Sequence, residues 1–161
     1  MNPFDELAQD VLTRAKERGI LIATAESCTG GMVGAALTAV PGSSAAYERG
    51  FVTYSNAAKR QMLGVTQGAL DAHGAVSEAV AAEMARGAVR NSGARLAVSL
   101  TGIAGPGGSE HKPEGRVCFG IAFDESDPVA TTVDFGPLGR DTVRARATLQ
   151  ALHLLNDTLR S

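Results

Sequence analysis

The chain predicts an α/β fold, a three-layer α/β/α sandwich around a mixed, mostly parallel sheet with one antiparallel member. Three observations carry that expectation. Segments of helical periodicity alternate with short apolar runs as far as Leu100, two strand-like runs then follow one another, and a long helical pattern closes the chain. Alternation places helices on both faces of a sheet, and consecutive strands supply the antiparallel member. At 161 residues the chain fits one domain, 1–161, with a real core.

The elements follow in order. Asn2 suits a helix cap and Pro3 its first turn. Phe4, Leu7, Ala8, Val11, Leu12 and Ala15 recur at helical spacing until Gly19 stops them. A buried strand is expected over Ile20 to Ala25, then a small-residue helix from near Thr29 to Pro41, where proline disfavours helix in the residue before it. Pro41-Gly42-Ser43-Ser44 is a turn cluster, Phe51 to Tyr54 a strand run, and Ala57 to Leu63 a short helix. Gly64, Gly68 and Gly74 punctuate a looser stretch. Ser77 reads as the N-cap of a long helix carrying Val80, Met84 and Ala88, which ends around Asn91 to Gly93. Leu96 to Leu100 is a second buried strand, opening into the glycine-rich 101–108 loop. Arg116 to Phe123 and Val129 to Phe135 read as neighbouring strands, and a last helix runs from about Asp141 to Leu159.

Bulk properties exclude several classes. A net charge of −2 without basic runs gives no reason to expect nucleic acid or a membrane surface as partner. No apolar stretch approaches the roughly 20 residues of a membrane span, and the acidic start has no signal-peptide core. The two cysteines, Cys28 and Cys118, form no disulfide framework, so a reducing cytoplasm is the natural setting. His73, His111 and His153 stand in no metal-ligand spacing, so no metal site is expected.

The chemistry concentrates at Thr24-Ala25-Glu26-Ser27-Cys28-Thr29-Gly30-Gly31. A serine at a strand-to-helix corner is held off its own ladder, and the amides of Thr29, Gly30 and Gly31 open toward the same space as oxyanion donors. Lys59, if neutral, takes the serine proton, and Tyr54 relays it or holds the lysine. The alternative makes Ser27 an N-cap, Lys59 a solvated helix residue and Tyr54 a strand aromatic. Cys28 is the rival nucleophile at a helix start, or else a buried small residue. Glu26 orients Lys59 or accepts from a ribose hydroxyl, or is a surface carboxylate. Loops carrying Gly42 and Ser44, and Thr101, Gly102, Gly105 and Gly107, lie at strand edges and converge with the serine loop if they share the carboxyl end of the sheet. Arg140 opens the last helix, where a guanidinium forks onto a phosphate; Arg144, one turn later, is a secondary candidate.

These residues resemble the CinA C-terminal domain family, the nicotinamide-nucleotide amidohydrolases. The resemblance rests on TAESCTGG (24–31), PGSS (41–44), YSNAAK (54–59), GAVSE (74–78), TGIAGPGG (101–108), Lys112-Pro113 with Gly115, and Gly139-Arg140. It implies hydrolysis of the carboxamide of nicotinamide mononucleotide, with no metal and no redox cofactor. It also implies Ser27 as nucleophile, Lys59 and Tyr54 as partners, and Thr101, the following glycines, the PGSS turn and Arg140 as substrate-holding groups. The chain resembles the stand-alone form, its first helix beginning at once. It departs from the family pattern in a slightly short 108–113 segment, with His111 where an acidic residue is usual. Two further readings are a phosphorylated-nucleotide-binding module without hydrolysis and a serine amidase acting on another small amide. A homo-oligomer is the commoner assembly.

Overall fold

A computed structural model describes residues 3–161; the expected cap at Asn2 lies outside the described residues. The chain runs α1 (Pro3–Arg18), β1 (Ile22–Glu26), α2 (Met32–Thr38), a 3₁₀ turn (Ser43–Ala45), β2 (Tyr47–Val52), α3 (Asn56–Leu63), α4 (Gln67–His73), α5 (Glu78–Arg90), β3 (Leu96–Gly102), β4 (Arg116–Phe123), β5 (Val129–Asp134) and α6 (Arg140–Arg160). The sheet order is β2-β1-β3-β4-β5. β1 pairs in parallel with both β2 and β3, and β4 pairs antiparallel with β3 and β5. β4 is therefore the one strand running against the rest, as the sequence predicts.

From β1 the chain steps to β2 on one side and returns past β1 to β3 on the other. Right-handed crossovers made in opposite directions place their helices on opposite faces. Accordingly α1, α2 and α6 pack on one face and α3, α4 and α5 on the other.

Strand alternation gives the two faces different residues. Ile22, Leu96, Val98, Leu100, Val117 and Phe119 point toward α1 and α6. Ala23, Ala25 and Ala97 face α5, joined there by Ser99 and Gly120. The small side brings α5 down onto the sheet: the Ser99 hydroxyl donates to the Ala81 carbonyl at 2.5 Å, and a Cβ on Gly120 would meet that carbonyl and the Ser99 Oγ. Gly120→Ala is expected to destabilise the fold by about 1–3 kcal/mol through overpacking, read as a lowered denaturant midpoint.

Several boundaries differ from expectation: the strand run read over Phe51 to Tyr54 is β2 at Tyr47–Val52, and the helix expected to reach Pro41 ends at Thr38. Helix α2 starts only at Met32, because Gly30 and Gly31 adopt φ values of 60° and 110° that right-handed helix forbids. β1 shifts to end on Glu26. The stretch read as loose holds the short helix α4, capped by the Thr66 hydroxyl accepting from the Ala69 N–H at 3.1 Å. The Ser77 cap of α5 is present, accepting from the Val80 N–H at 3.2 Å.

Candidate active site

The 2-1-3 strand order creates a switch point between β1 and β3, and ligand crevices in open α/β sheets form at the carboxyl ends beside such a point. Ser27 directly follows β1, Thr101 lies at the end of β3, and Thr53 directly follows β2. A cavity of about 230 Å³ opens there, lined among others by Ser27, Cys28, Tyr54, Lys59, Thr101 and Arg140. Ala75 and Val76, just ahead of α5, complete a wall and join it to a larger cleft of about 700 Å³ beside His73, Ile103, His111 and Lys112.

Ser27 is only 7 % exposed and is anchored through its N–H to the Leu100 carbonyl of β3 at 3.1 Å. Its hydroxyl lies 3.0 Å from Lys59 Nζ. Lys59 is 1 % exposed, an unusual burial for an amine. The 54–59 motif explains how it gets there. Ser55 caps α3, accepting from the Ala58 N–H at 3.0 Å. One turn on, the Lys59 side chain leans back toward the helix start, as helical side chains do. There Nζ donates to the carbonyls of Thr53 at 3.0 Å and Tyr54 at 3.2 Å. Among the described residues no carboxylate pairs with it. Desolvation by burial holds its pKa below the ordinary lysine value of 10.5.

The two carbonyls claim two N–H bonds of a neutral amine, which leaves its lone pair for Ser27 Oγ. A lysine so placed can act as a base toward that hydroxyl. Cys28, beside it, is set up differently: burial raises its thiol to about 11, so it stays protonated near neutrality. Burial outweighs any effect of the nearby helix start on its thiol, in line with the buried-small-residue alternative.

Several expected site residues do other work. Tyr54 is 63 % exposed, and its hydroxyl accepts from Arg140 Nη2 at 3.0 Å rather than standing between Lys59 and Ser27; only its carbonyl touches the lysine. Glu26 neither orients Lys59 nor faces the cavity. Its carboxylate is buried under α2, accepting from the Thr29 hydroxyl at 2.6 Å and from the Val33 and Gly34 N–H groups at 3.0 Å. A buried anion there satisfies the unpaired amides of the helix start.

Of the three amides expected to face a substrate, one is spent inside the turn. Gly30 N–H donates to the Ser27 carbonyl at 3.1 Å. Among the described residues no other residue accepts from the N–H of Cys28, Thr29 or Gly31; the Cys28 N–H lies against its own Sγ.

Gly42 and Ser44 are not brought to this site. They precede β2, and the neighbouring Ala46 carbonyl accepts from the Ile22 N–H at the amino end of β1. The whole of β1, five residues at about 3.3 Å each, separates that turn from Ser27. A turn that precedes its strand lies at the wrong edge to meet one that follows its strand.

The third loop does arrive. The Thr101 hydroxyl donates to the Ala75 carbonyl at 2.9 Å, tying the wall together. Gly102 ends β3 against Val117, and Gly105 turns its carbonyl to Arg140 Nη1 at 2.7 Å. Glu114, which the sequence did not single out, accepts from the Gly107 N–H and, at 3.4 Å, from the Gly139 N–H, joining this loop to the start of α6. Its only signal in the sequence is a carboxylate between Pro113 and Gly115. Arg140 thus stands at the cavity mouth, exposed and free of carboxylate partners among the described residues. Among those residues no group of His, Cys, Asp and Glu gathers as a metal site needs, and no helix is long and apolar enough to cross a membrane.

Comparison with known proteins places this geometry. Nicotinamide-nucleotide amidohydrolase PncC of Escherichia coli strain K12 is 50% identical over 151 residues, 93% of this chain and 91% of that protein. A CinA-like protein of Mycobacterium tuberculosis is 49% identical over 156 residues, which span 96% of this chain but 35% of that longer protein. The crystal structure of competence/damage inducible protein CihA from Agrobacterium tumefaciens superimposes with a TM-score of 0.95 at 42% identity, covering 100% of this chain and 98% of the other. Residues 4–159 match the CinA C-terminal domain. With the fold shared over its full length and half its residues kept in a stand-alone relative, the chain belongs to the CinA C-terminal domain family.

Proposed function

We propose that this chain hydrolyses the carboxamide of nicotinamide mononucleotide to nicotinate mononucleotide and ammonia, with Ser27 as nucleophile and Lys59 as its base. The observation that carries the proposal is the 3.0 Å contact between Ser27 Oγ and a buried lysine whose two other contacts are backbone carbonyls. The name of the E. coli relative supplies the substrate class.

Lys59 takes the Ser27 proton as Oγ bonds to the amide carbon. The oxyanion rests on the unspent amides of the 28–31 turn. Lys59, now an ammonium, gives its proton to the amide nitrogen; the C–N bond breaks and ammonia leaves. Water, deprotonated by the same lysine, then attacks the acyl carbon; the bond to Oγ breaks, Lys59 returns the proton to Ser27, and nicotinate mononucleotide leaves. The pyridinium charge of the substrate makes its carboxamide more electrophilic. Thr101 keeps a hydroxyl lone pair for the carboxamide N–H, and Arg140 has guanidinium donors left for the phosphate. The same reading treats the chain as one amidohydrolase domain serving pyridine-nucleotide salvage in the cytoplasm.

The test is ammonia release from nicotinamide mononucleotide by purified protein, with nicotinate mononucleotide identified as co-product. Binding without release would replace this reading by that of a nucleotide-binding module.

Because the Tyr54 hydroxyl sits on Arg140, Tyr54→Phe is expected to raise KM by several-fold while kcat falls by less than about fivefold. A proton relay through that hydroxyl would instead cost about 10²–10⁴-fold in kcat. Steady-state kinetics on the purified variant separates the two.

A further inference from the structure

The active-site turn is held from behind by a residue that the catalytic scheme leaves unused. Arg144 lies one turn into α6 and is half-buried. Its Nε donates to the Cys28 carbonyl at 3.1 Å and its Nη2 to the Thr29 carbonyl at 3.3 Å. The guanidinium packs over Gly30, where an added Cβ would lie 3.5 Å from Nη2. Among the described residues no carboxylate pairs with it, so its charge is spent on two backbone carbonyls. A phosphate contact, the role sequence reading offers it, would compete with both bonds.

Peptide planarity makes this consequential. In a trans peptide the N–H points opposite to the C=O, so a carbonyl drawn onto Arg144 turns the next residue's N–H away from α6. All three carbonyls of residues 27–29 are engaged: Ser27 by the Gly30 N–H, Cys28 by Arg144, and Thr29 by Arg144 and the Met32 N–H. Among the described residues the amides of Cys28 and Thr29, like that of Gly31, are left without an acceptor in another residue. A cation on the carbonyl side also polarises the peptide and strengthens its N–H as a donor.

We propose that Arg144 is a positioning residue for the oxyanion site: it fixes the Cys28–Thr29 peptide directly and, through the Thr29–Gly30 peptide whose N–H holds the Ser27 carbonyl, the Ser27–Cys28 peptide, so that the N–H groups of Thr29 and Cys28 receive the charge developing on the substrate's amide oxygen. The proposal rests on the reading of Ser27 as nucleophile. It assigns Arg144 no contact with substrate, and therefore an effect on kcat and not on KM.

The experiment measures ammonia release from nicotinamide mononucleotide by wild type, Ser27→Ala, Arg144→Ala and Arg144→Gln, with thermal unfolding of each. Arg144→Ala is expected to lose about 10–100-fold in kcat, a part of the 10²–10³-fold that a missing oxyanion donor costs, with KM within about threefold. Added guanidinium ion is expected to restore kcat of Arg144→Ala several-fold and to leave Ser27→Ala silent. A kcat within about threefold of wild type, a loss carried by KM, or no response to guanidinium overturns the proposal. If Arg144→Ala does not fold, Arg144→Gln decides on the kcat and KM criterion, because its amide reaches one carbonyl but not both. Silence of the wild type, or full activity of Ser27→Ala, overturns instead the nucleophile reading beneath.

Discussion

Ser27→Ala is expected to reduce ammonia release from nicotinamide mononucleotide by at least about 10⁴-fold, while Cys28→Ala stays within about threefold of wild type. The two residues are adjacent, both are buried and both line the cavity, so position does not separate them. Protonation does. The Cys28 thiol, lifted to about 11 by desolvation, has almost no thiolate at neutral pH and no base at hydrogen-bond distance. Ser27 has an amine at 3.0 Å. On the proposed mechanism Ser27 acts as a unit with its base, and removing it leaves only binding and the oxyanion amides, so the loss far exceeds that of any single donor. Mass spectrometry of the enzyme quenched during turnover supplies a second check, with the acyl group found on the peptide containing Ser27. A Cys28→Ala variant as inactive as Ser27→Ala, with its unfolding midpoint unchanged, would reverse the assignment.

Lys59→Met is expected to cost about 10³–10⁴-fold in kcat, and Lys59→Arg about as much, because a guanidinium does not give up its proton in this range. On the proposed mechanism the active form of the wild type is the neutral amine. Burial lowers its pKa, so kcat/KM rises with pH through that lowered value and levels off before the ordinary lysine value of 10.5. The sign for stability agrees. Between the lowered value and 10.5 the unfolded chain binds the proton that the fold rejects, so the contribution of Lys59 to stability increases with pH across that window. Lys59→Met removes both the kinetic limb and that slope. A pH–rate profile with no rising limb below 10.5 would mean that Lys59 is not the base.

The layered architecture was legible because periodicity and strand order are local properties of the sequence. Ile22, Val98 and Phe119 face one way and Ala23, Ala97 and Gly120 the other, a pattern written in alternate residues. The Ser27–Lys59 pair was legible through its motifs, and the structure gives those motifs their mechanics: Ser55 starts a helix that carries the lysine back over its own first turn. What sequence did not deliver were the partnerships made across the fold. Glu26 lies beside Ser27 in the chain, yet its carboxylate turns to the amides of Val33 and Gly34. Tyr54 precedes Lys59 by five residues and finds Arg140 from the far end of the chain. Gly42 and Ser44 look like their counterparts in the other loops, and only strand direction reveals that they occupy the opposite edge of the sheet.

The thin side of the sheet has a bearing on how such a pocket changes over evolutionary time. Ser99 and Gly120 bolt the backbone of α5 to the strands, and Ala75 and Val76, carried just ahead of that helix, inherit its rigidity as the floor of the cavity. Growth of any side chain beneath α5 lifts the helix and spoils the pocket along with the fold. Substrate preference has more room to drift at Glu110 and His111, exposed residues that line the larger cleft, than at Lys112, whose Nζ is tied to the Val76 carbonyl at 2.6 Å. A descendant enzyme with a different appetite would carry its differences at those two exposed positions.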